Sequence, residues 1–475
     1  MVIRCRINNE GFMFNTFEEA RQFERYNEIT FLNCYNSQIT KIENLPKNLH
    51  EFNCSKNKIT KIENLPKNLY EFNCSENKIT KIENLRYHWN GVEMVTEENK
   101  QLPENLRVFV CSDNQITKIE NLPENLRVFV CSENQITKIE NLRYHWNGVE
   151  MITEENKQLP EILQEFICCW NQIEKIENLP KNLQKFSCYH NQITKIENLP
   201  NSLQKLNCSY NEITKIENLP ISLQKLYCFG NRITKIENLP ENLQKFHCYR
   251  NQITKIENLP YNLQVFYCNG NQITKIENLP ENLQNFGCSS QITKIENLPE
   301  NLQKFYCPDN KITKIENLPD NLQVFNCWRN QITKIENLPE KLQVFCCHRN
   351  QITKIENLPE NLQEFRCDET LEIPDDIPEN LKINGKFIDK TYILFNKFKT
   401  GKIDENTFIE KIGIPTIITD KHRCLICHEE KLCIYLSCNL EHCYCVNDFV
   451  NWYQNNEKKC CLCMKPFKIE ECKFG

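Results

Sequence analysis

The 475-residue chain has no apolar run long enough to cross a membrane. No segment with a basic start, an apolar stretch and a small-residue cleavage site opens it. An intracellular setting, the reducing cytoplasm, is therefore expected, with no membrane partner. A charge excess is also missing: 58 Lys and Arg face 63 Asp and Glu, a formal net charge of −5 with a pI near 6.1. Holding a phosphate backbone takes a sustained basic field, so nucleic acid is disfavoured as a partner. What the chain has in abundance is cysteine, 29 residues, and an internal repeat.

From Ile29 to about Asn380 the sequence reads as copies of L-Q-x-F-x-C-x-x-N-x-I-T-K-I-E-N-L-P-x-N, mostly 20 residues long. Sixteen copies are marked by a central Cys, from Cys34 to Cys367. In the copy that begins at Leu263, the apolar spine runs through Leu263, Phe266, Cys268, Ile273, Ile276 and Leu279, with Asn271 at the ninth position. This spacing resembles the leucine-rich repeat. The short Leu-Pro form is similar to the 20-residue repeats of secreted bacterial effectors, known as LPX-type. The resemblance implies a solenoid of parallel β-strands with little helix.

The residues themselves support that expectation. Leu, Phe and Cys alternate inward along a short strand, and strands stacked at about 4.8 Å would make a spine of about 75 Å. The ninth-position Asn, as in Asn57, Asn211 and Asn330, is suited to bond backbone groups left open where the strand turns away. Leu-Pro stops regular pairing and returns the chain in extended or turn conformation.

The repeat also divides the cysteines. Sixteen are the sixth residue of a copy, ten lie toward the C-terminus, and Cys5, Cys169 and Cys346 remain. The ladder cysteines read as small buried hydrophobes rather than a disulfide framework.

Between copies the tract I-T-K-I-E-N-L-P hardly changes, whereas positions five, seven and eight vary: Asn53, Ser55 and Lys56 in one copy become Asn326, Trp328 and Arg329 in another. These positions flank the inward Cys and should face outward on the concave sheet. Lys and Glu of the unchanging tract should be exposed too, so exposure alone does not account for the variation; a diversified binding face does, the alternative being recent duplication with uneven correction. Its second half is aromatic and locally basic, the composition of protein-recognition hot spots. Tyr249, Arg250, Trp328, Arg329, His348 and Arg349 are the candidate contacts to a protein substrate.

Several irregularities set the domain plan. Residues 1–28 read as an N-terminal cap, with Thr16-Phe-Glu-Glu19 opening a helix to about Tyr26. Residues 29–383 are the repeats. They are interrupted by nearly identical inserts at 86–101 and 143–158, whose Asn90-Gly91 and Asn147-Gly148 signal hairpins. The copy starting at Leu283 has lost its Asn and should kink. Residues 384–420 read as a linker with short helices, Phe387 to Phe398 and Glu405 to Ile412. Codon-biased Ile, Asn and Lys fit an AT-rich protist or a large DNA virus of one, in which case the setting is the host cytoplasm.

Residues 421–472 carry the chemistry. Cys424, Cys427, Cys438, His442, Cys445, Asp448, Cys460 and Cys463 form four successive ligand pairs, enough for two closed tetrahedral zinc sites. Cys443 stands beside His442 as an alternative fourth ligand, and Cys433, Cys461 and Cys472 are also surplus to the eight. The order resembles a RING finger, a small cross-braced α+β domain. That resemblance implies two structural Zn²⁺, one held by Cys424, Cys427, Cys445 and Asp448, the other by Cys438, His442, Cys460 and Cys463. It also implies a groove for an E2 ubiquitin-conjugating enzyme around Ile426 and Trp452. The chain departs from the family at Asp448, where Cys or His is usual, at Cys461, where Pro is common, and at Met464, where a basic residue is common. The expected function is that of a RING-type E3 ubiquitin-protein ligase, an E2-dependent transferase without a covalent intermediate, whose repeats choose the substrate. The alternative is a non-enzymatic interaction scaffold with a structural zinc module.

Overall fold

The computed structural model describes residues 2–82, 102–142 and 158–387 apart from single positions and the pairs 375–376 and 379–380; within 83–101 and 143–157 and beyond 387 it describes short strands and isolated residues. Two units are distinguished, Met1–Leu302 and Gln303–Gly475.

The first unit opens with a β-hairpin. In β1 (Ile3–Ile7) the apolar residues Ile3, Cys5 and Ile7 alternate inward. Asn8 and Asn9, both with positive φ (44° and 72°), turn the chain into β2 (Glu10–Phe14), as a two-residue turn of the twist-matched kind requires. β1 also pairs antiparallel with β3 (Phe31–Asn33), the first repeat strand, and so covers the edge of the ladder. The expected cap is thus chiefly a β-hairpin. Helix α1 follows, Phe17–Gln22, with Thr16 Oγ1 accepting from Glu19 N at 3.1 Å and Glu19 Oε2 accepting from Asn15 N at 2.8 Å. It stops four residues short of Tyr26, because Phe23 leaves the helix to pack against Phe12 and Phe14, ring centroids 5.1 and 5.3 Å away. A 3₁₀ turn, Tyr26–Glu28, leads into the repeats.

Each copy contributes a three-residue strand centred on its Phe or Leu, and consecutive copies pair in parallel register. In the first unit the register runs Leu32, Phe52, Phe72, Phe109, Phe129, Phe166, Phe186, Leu206, Leu226, Phe246, Phe266, Phe286. In the second it runs Phe305, Phe325, Phe345, Phe365, Ile383. Successive Phe rings stack at 5.4–5.8 Å inside each unit. The Leu, Phe, Cys and Ile spine is buried almost throughout.

The ninth-position Asn ties neighbouring copies together. Asn211 Nδ2 donates to the carbonyls of Cys188 and Cys208 at 3.0 and 3.1 Å, while its Oδ1 accepts from Ile193 N at 3.0 Å. Asn57 and Asn330 repeat the arrangement around Cys34 and Cys54, and around Cys307 and Cys327. The ladder thiols are reduced and buried. Burial pushes those of Cys54, Cys74, Cys188 and Cys228 well above their ordinary pKa, so they stay protonated.

The inserts leave the ladder and return without disturbing it: Phe72 pairs directly with Phe109, and Phe129 with Phe166. Each insert contains an antiparallel pair, Tyr87–Trp89 with Met94–Thr96 and Tyr144–Trp146 with Met151–Thr153, matching the expected hairpins. The second unit's ladder finishes in a small hairpin, Lys382–Ile383 with Lys386–Phe387, turned by Asn384 and Gly385 at φ 51° and 84°. Phe387, expected to open a helix, is therefore in a strand; most of the helical stretches expected after it lie outside the described residues.

A candidate interaction face

Two positions of the repeat sit in the left-handed region, and their contents differ in an informative way. The sixteenth position, φ 52–55° at Asn178, Asn198, Asn218, Asn238, Asn258 and Asn278, is filled by Asn, the non-glycine residue that tolerates this backbone best. The eighth position is equally left-handed, yet its content varies: Asn36, Lys56, Glu76, Asp113 and Glu133 in the earlier copies, then Trp170 (φ 54°), His190 (58°), Tyr210 (51°) and Arg250 (54°), and Asp309, Arg329 (55°) and Arg349 (56°) later, with Gly only at Gly230 and Gly270. A bulky side chain there costs about 1 kcal/mol relative to glycine.

In the first unit the eighth-position residues meet those of the seventh. Trp170 stacks on His190 with ring centroids 3.5 Å apart and planes 17° apart. Tyr189 meets Tyr210 edge-on at 5.3 Å, Tyr210 meets Phe229 at 5.4 Å, and Phe229 stacks on Tyr249 at 4.2 Å. Arg250 Nη1 donates to the Tyr210 hydroxyl at 3.1 Å. Gly230 makes room for this arrangement, since a Cβ there would lie 3.0 Å from the Tyr210 ring. A parallel column at the fifth position places His247 between Tyr227 and Tyr267, each 4.9 Å away and nearly perpendicular. Burial, helped by nearby Lys245, pushes the His247 imidazole down to about 4, so it is neutral at neutral pH.

In the second unit Trp328 stacks on His348 at 5.5 Å with planes 11° apart, and the Arg349 guanidinium lies 5.9 Å from the Trp328 ring. Arg329 pairs with Asp309 at 3.0 Å. Cys346 Sγ stands 3.2 Å from His348 Nδ1.

The six expected contacts thus fall into two groups. Tyr249 and Arg250 belong to the aromatic field of the first unit; Trp328, Arg329, His348 and Arg349 form a smaller cluster in the second. Trp170, at 47 % exposure, is a member that reading the sequence missed. Its signal was present, as the same eighth position that supplies Arg250 and Arg329.

Of the expected zinc ligands, His442 and Cys445 are positions on a strand, Asn439–Cys445, that pairs antiparallel with Cys433–Leu436. Cys424, Cys427, Cys438, Asp448, Cys460 and Cys463, and the groove residues Ile426 and Trp452, lie outside the described residues. Among the described residues no three His, Cys, Asp or Glu side chains gather as a metal site, and no helix is long and apolar enough to cross a membrane.

Residues 181–220 and 221–261 match the family model described as leucine-rich repeats in two copies. No curated protein matches the chain. Among solved structures, YopM from Yersinia enterocolitica is similar at 22% identity over 74% of this chain and 76% of that one, with a TM-score of 0.57. A leucine-rich-repeat protein of Leptospira interrogans is similar at 20% identity over 78% of this chain and 99% of its own, with a TM-score of 0.53. The repeats therefore fold as leucine-rich-repeat solenoids of parallel strands with little helix, a fold consistent with protein–protein interaction.

Proposed function

We propose that the repeats form a protein-recognition scaffold and that the strand face of the first unit, from Trp170 to Tyr267, is where a partner docks, the cluster around Trp328 being a docking surface of the second unit taken by itself. The observation that carries this reading is the left-handed eighth position. The sixteenth position is held by Asn in copy after copy, whereas the eighth varies at the same backbone cost, and from Trp170 to Arg250 and again at Arg329 and Arg349 it is filled mostly by Trp, Tyr and Arg, the side chains that dominate binding at protein interfaces. A photo-crosslinking amino acid at Tyr249 or Trp328, compared with one at the exposed Lys195, tests it in the source cell. Specific adducts from the first two positions and not the third are expected; equal capture from all three would refute the reading.

A second reading extends the first and is carried by the C-terminal ligand pattern. Six thiols, one imidazole and one carboxylate in four pairs suit zinc, which favours soft thiolate and imidazole donors and accepts oxygen. With all eight engaged, the zinc ions would be structural, with no open position for water. In this reading Cys424, Cys427, Cys445 and Asp448 hold one ion, and Cys438, His442, Cys460 and Cys463 the other. Ile426 and Trp452 then seat an E2, and the repeats bring a substrate lysine to its ubiquitin thioester. Rate enhancement would come from proximity, without a covalent intermediate on this chain. The test is purified protein with E1, a panel of E2 enzymes, ubiquitin and ATP, beside Cys424→Ala and Trp452→Ala. Chain formation lost in both variants is expected; no chain formation with any E2 leaves the scaffold function alone.

A further inference from the structure

The strand face of the first unit carries a row of like charge that its own fold neutralises only at one end. Lys185, Lys205, Lys225 and Lys245 occupy the third position of four consecutive copies and pair in register, each with the next. Neighbouring strands stand about 4.8 Å apart, and like charges side by side on a sheet oppose its pairing. Glu165 pairs with Lys185 at 3.1 Å at one end, and Lys205 Nζ lies 5.8 Å from the centre of the Tyr227 ring. Among the described residues no carboxylate pairs with Lys205, Lys225 or Lys245. Nor is the third position basic by rule: it is Glu51, Glu71, Val108 and Val128 in earlier copies and Val265 in the next.

The row has a polar border on one side and an aromatic border on the other. The second position of each copy puts Gln204, Gln224, Gln244 and Gln264 along a groove of about 610 Å³. The fifth position supplies the Tyr227, His247 and Tyr267 column. Because His247 is held neutral, the charge of this face comes from the lysines and Arg250.

From this juxtaposition we infer that the row from Lys185 to Lys245 seats an acidic, extended segment of the partner protein, laid across the strands between the glutamine groove and the aromatic column. The inference rests on the protein-recognition reading above and adds the chemistry of the bound segment. Three interstrand steps make the row about 14 Å long, the span of about four extended residues. Two or three carboxylates in such a stretch neutralise the lysines. The glutamine amides offer donors and acceptors to its peptide groups, and the rings take a flanking apolar or aromatic side chain. A nucleic-acid strand is the poorer match, because the row ends at Glu165 on one side and Val265 on the other and the basic field is not sustained.

The test uses the full-length protein and fluorescence anisotropy. The probes are a short labelled peptide of consecutive Glu followed by Tyr, the same peptide with Gln for Glu, and labelled oligothymidylate of equal length. The Glu peptide is expected to bind, the Gln peptide to bind at least about ten-fold more weakly, and K205Q/K225Q to weaken the Glu peptide by a similar factor. K195Q/K215Q, altering exposed lysines that pair locally with Glu197 and Glu217, should leave it unchanged. K205Q/K225Q should melt at the same temperature as the parent or higher, since it relieves repulsion. Absence of binding, equal binding by K205Q/K225Q, or tighter binding of oligothymidylate through the same lysines would overturn the inference. A partner crosslinked at Tyr249 whose affinity is unchanged in K205Q/K225Q would sink it while leaving the recognition reading intact.

Discussion

Replacing Asn211 by Ala removes the bonds that join two copies, and the cost can be worked from the partners left behind. The Cys188 carbonyl also accepts from Asn191 Nδ2 at 3.0 Å, and the Cys208 carbonyl from Asn231 Nδ2 at 3.0 Å, so each drops from two amide donors to one. Two lost bonds of this kind are worth about 0.5–1.5 kcal/mol each. Ile193 N, which donates to Asn211 Oδ1, loses the acceptor this bond supplies inside the ladder, and a buried donor left unpaired costs about 1–3 kcal/mol. The sum is about 4 kcal/mol, a large fraction of what holds a domain together. In a repeat array the damage is confined to neighbouring copies, so amide hydrogen exchange is the assay of choice, with urea unfolding in support. Protection should fall around Ile193, Cys208 and Asn231 and persist around Phe72 and Phe109. Asn182→Ala is the control, because its Nδ2 reaches the Glu161 carbonyl at 3.0 Å in an exposed setting, and it should cost less than about 1 kcal/mol. If Asn211→Ala costs no more than Asn182→Ala, the Asn ladder is not what joins the copies.

Three further outcomes follow from the same geometry. A Cβ at Gly287 would lie 2.5 Å from Tyr267 Cδ1, so Gly287→Ala should swing Tyr267 off His247 at a cost of about 1–2 kcal/mol, visible in near-ultraviolet circular dichroism; an unchanged spectrum would count against the packing. His247, about 4 when folded and near 6.5 when unfolded, takes up its proton more readily in the unfolded chain. The stability it contributes is therefore present above about pH 6.5 and is lost as pH falls toward 4. An NMR titration should find its imidazole still neutral at about pH 5.5, and a midpoint near 6.5 would refute the burial argument. Arg250→Gly relieves a left-handed residue at φ 54° and should leave thermal stability equal or raise it by about 0.5 kcal/mol while weakening partner binding; a clear loss of stability would show that the side chain serves the fold.

Much of the architecture is legible in the chain because a repeat states its own register. The apolar residues at positions one, four and six, mostly Leu, Phe and Cys, are buried in every described copy, and the ninth-position Asn bonds backbone as its chemistry implies. The two ends were harder to read. Ile3, Cys5 and Ile7 alternate as a strand should, and Asn8-Asn9 forms the turn, but the capping signal at Thr16 drew the reading toward a longer helix. The helix ends where Phe23 finds Phe12 and Phe14, a preference that lies in tertiary contact and outweighs local propensity. Asn384-Gly385 likewise made a hairpin where apolar spacing had pointed to a helix from Phe387.

The sequence alone thus determined the parallel-strand repeat and the inward thiols, since each depends on spacing within a short stretch of chain; the proposed zinc reading rests on the same kind of local spacing, from Cys424 to Cys463. Only the tertiary structure decided which exposed side chains meet. Residues twenty apart become neighbours one strand away, so Trp170 comes to lie on His190, Phe229 on Tyr249, and four lysines fall into one row. Those contacts cross copies, and no pattern within a single copy contains them.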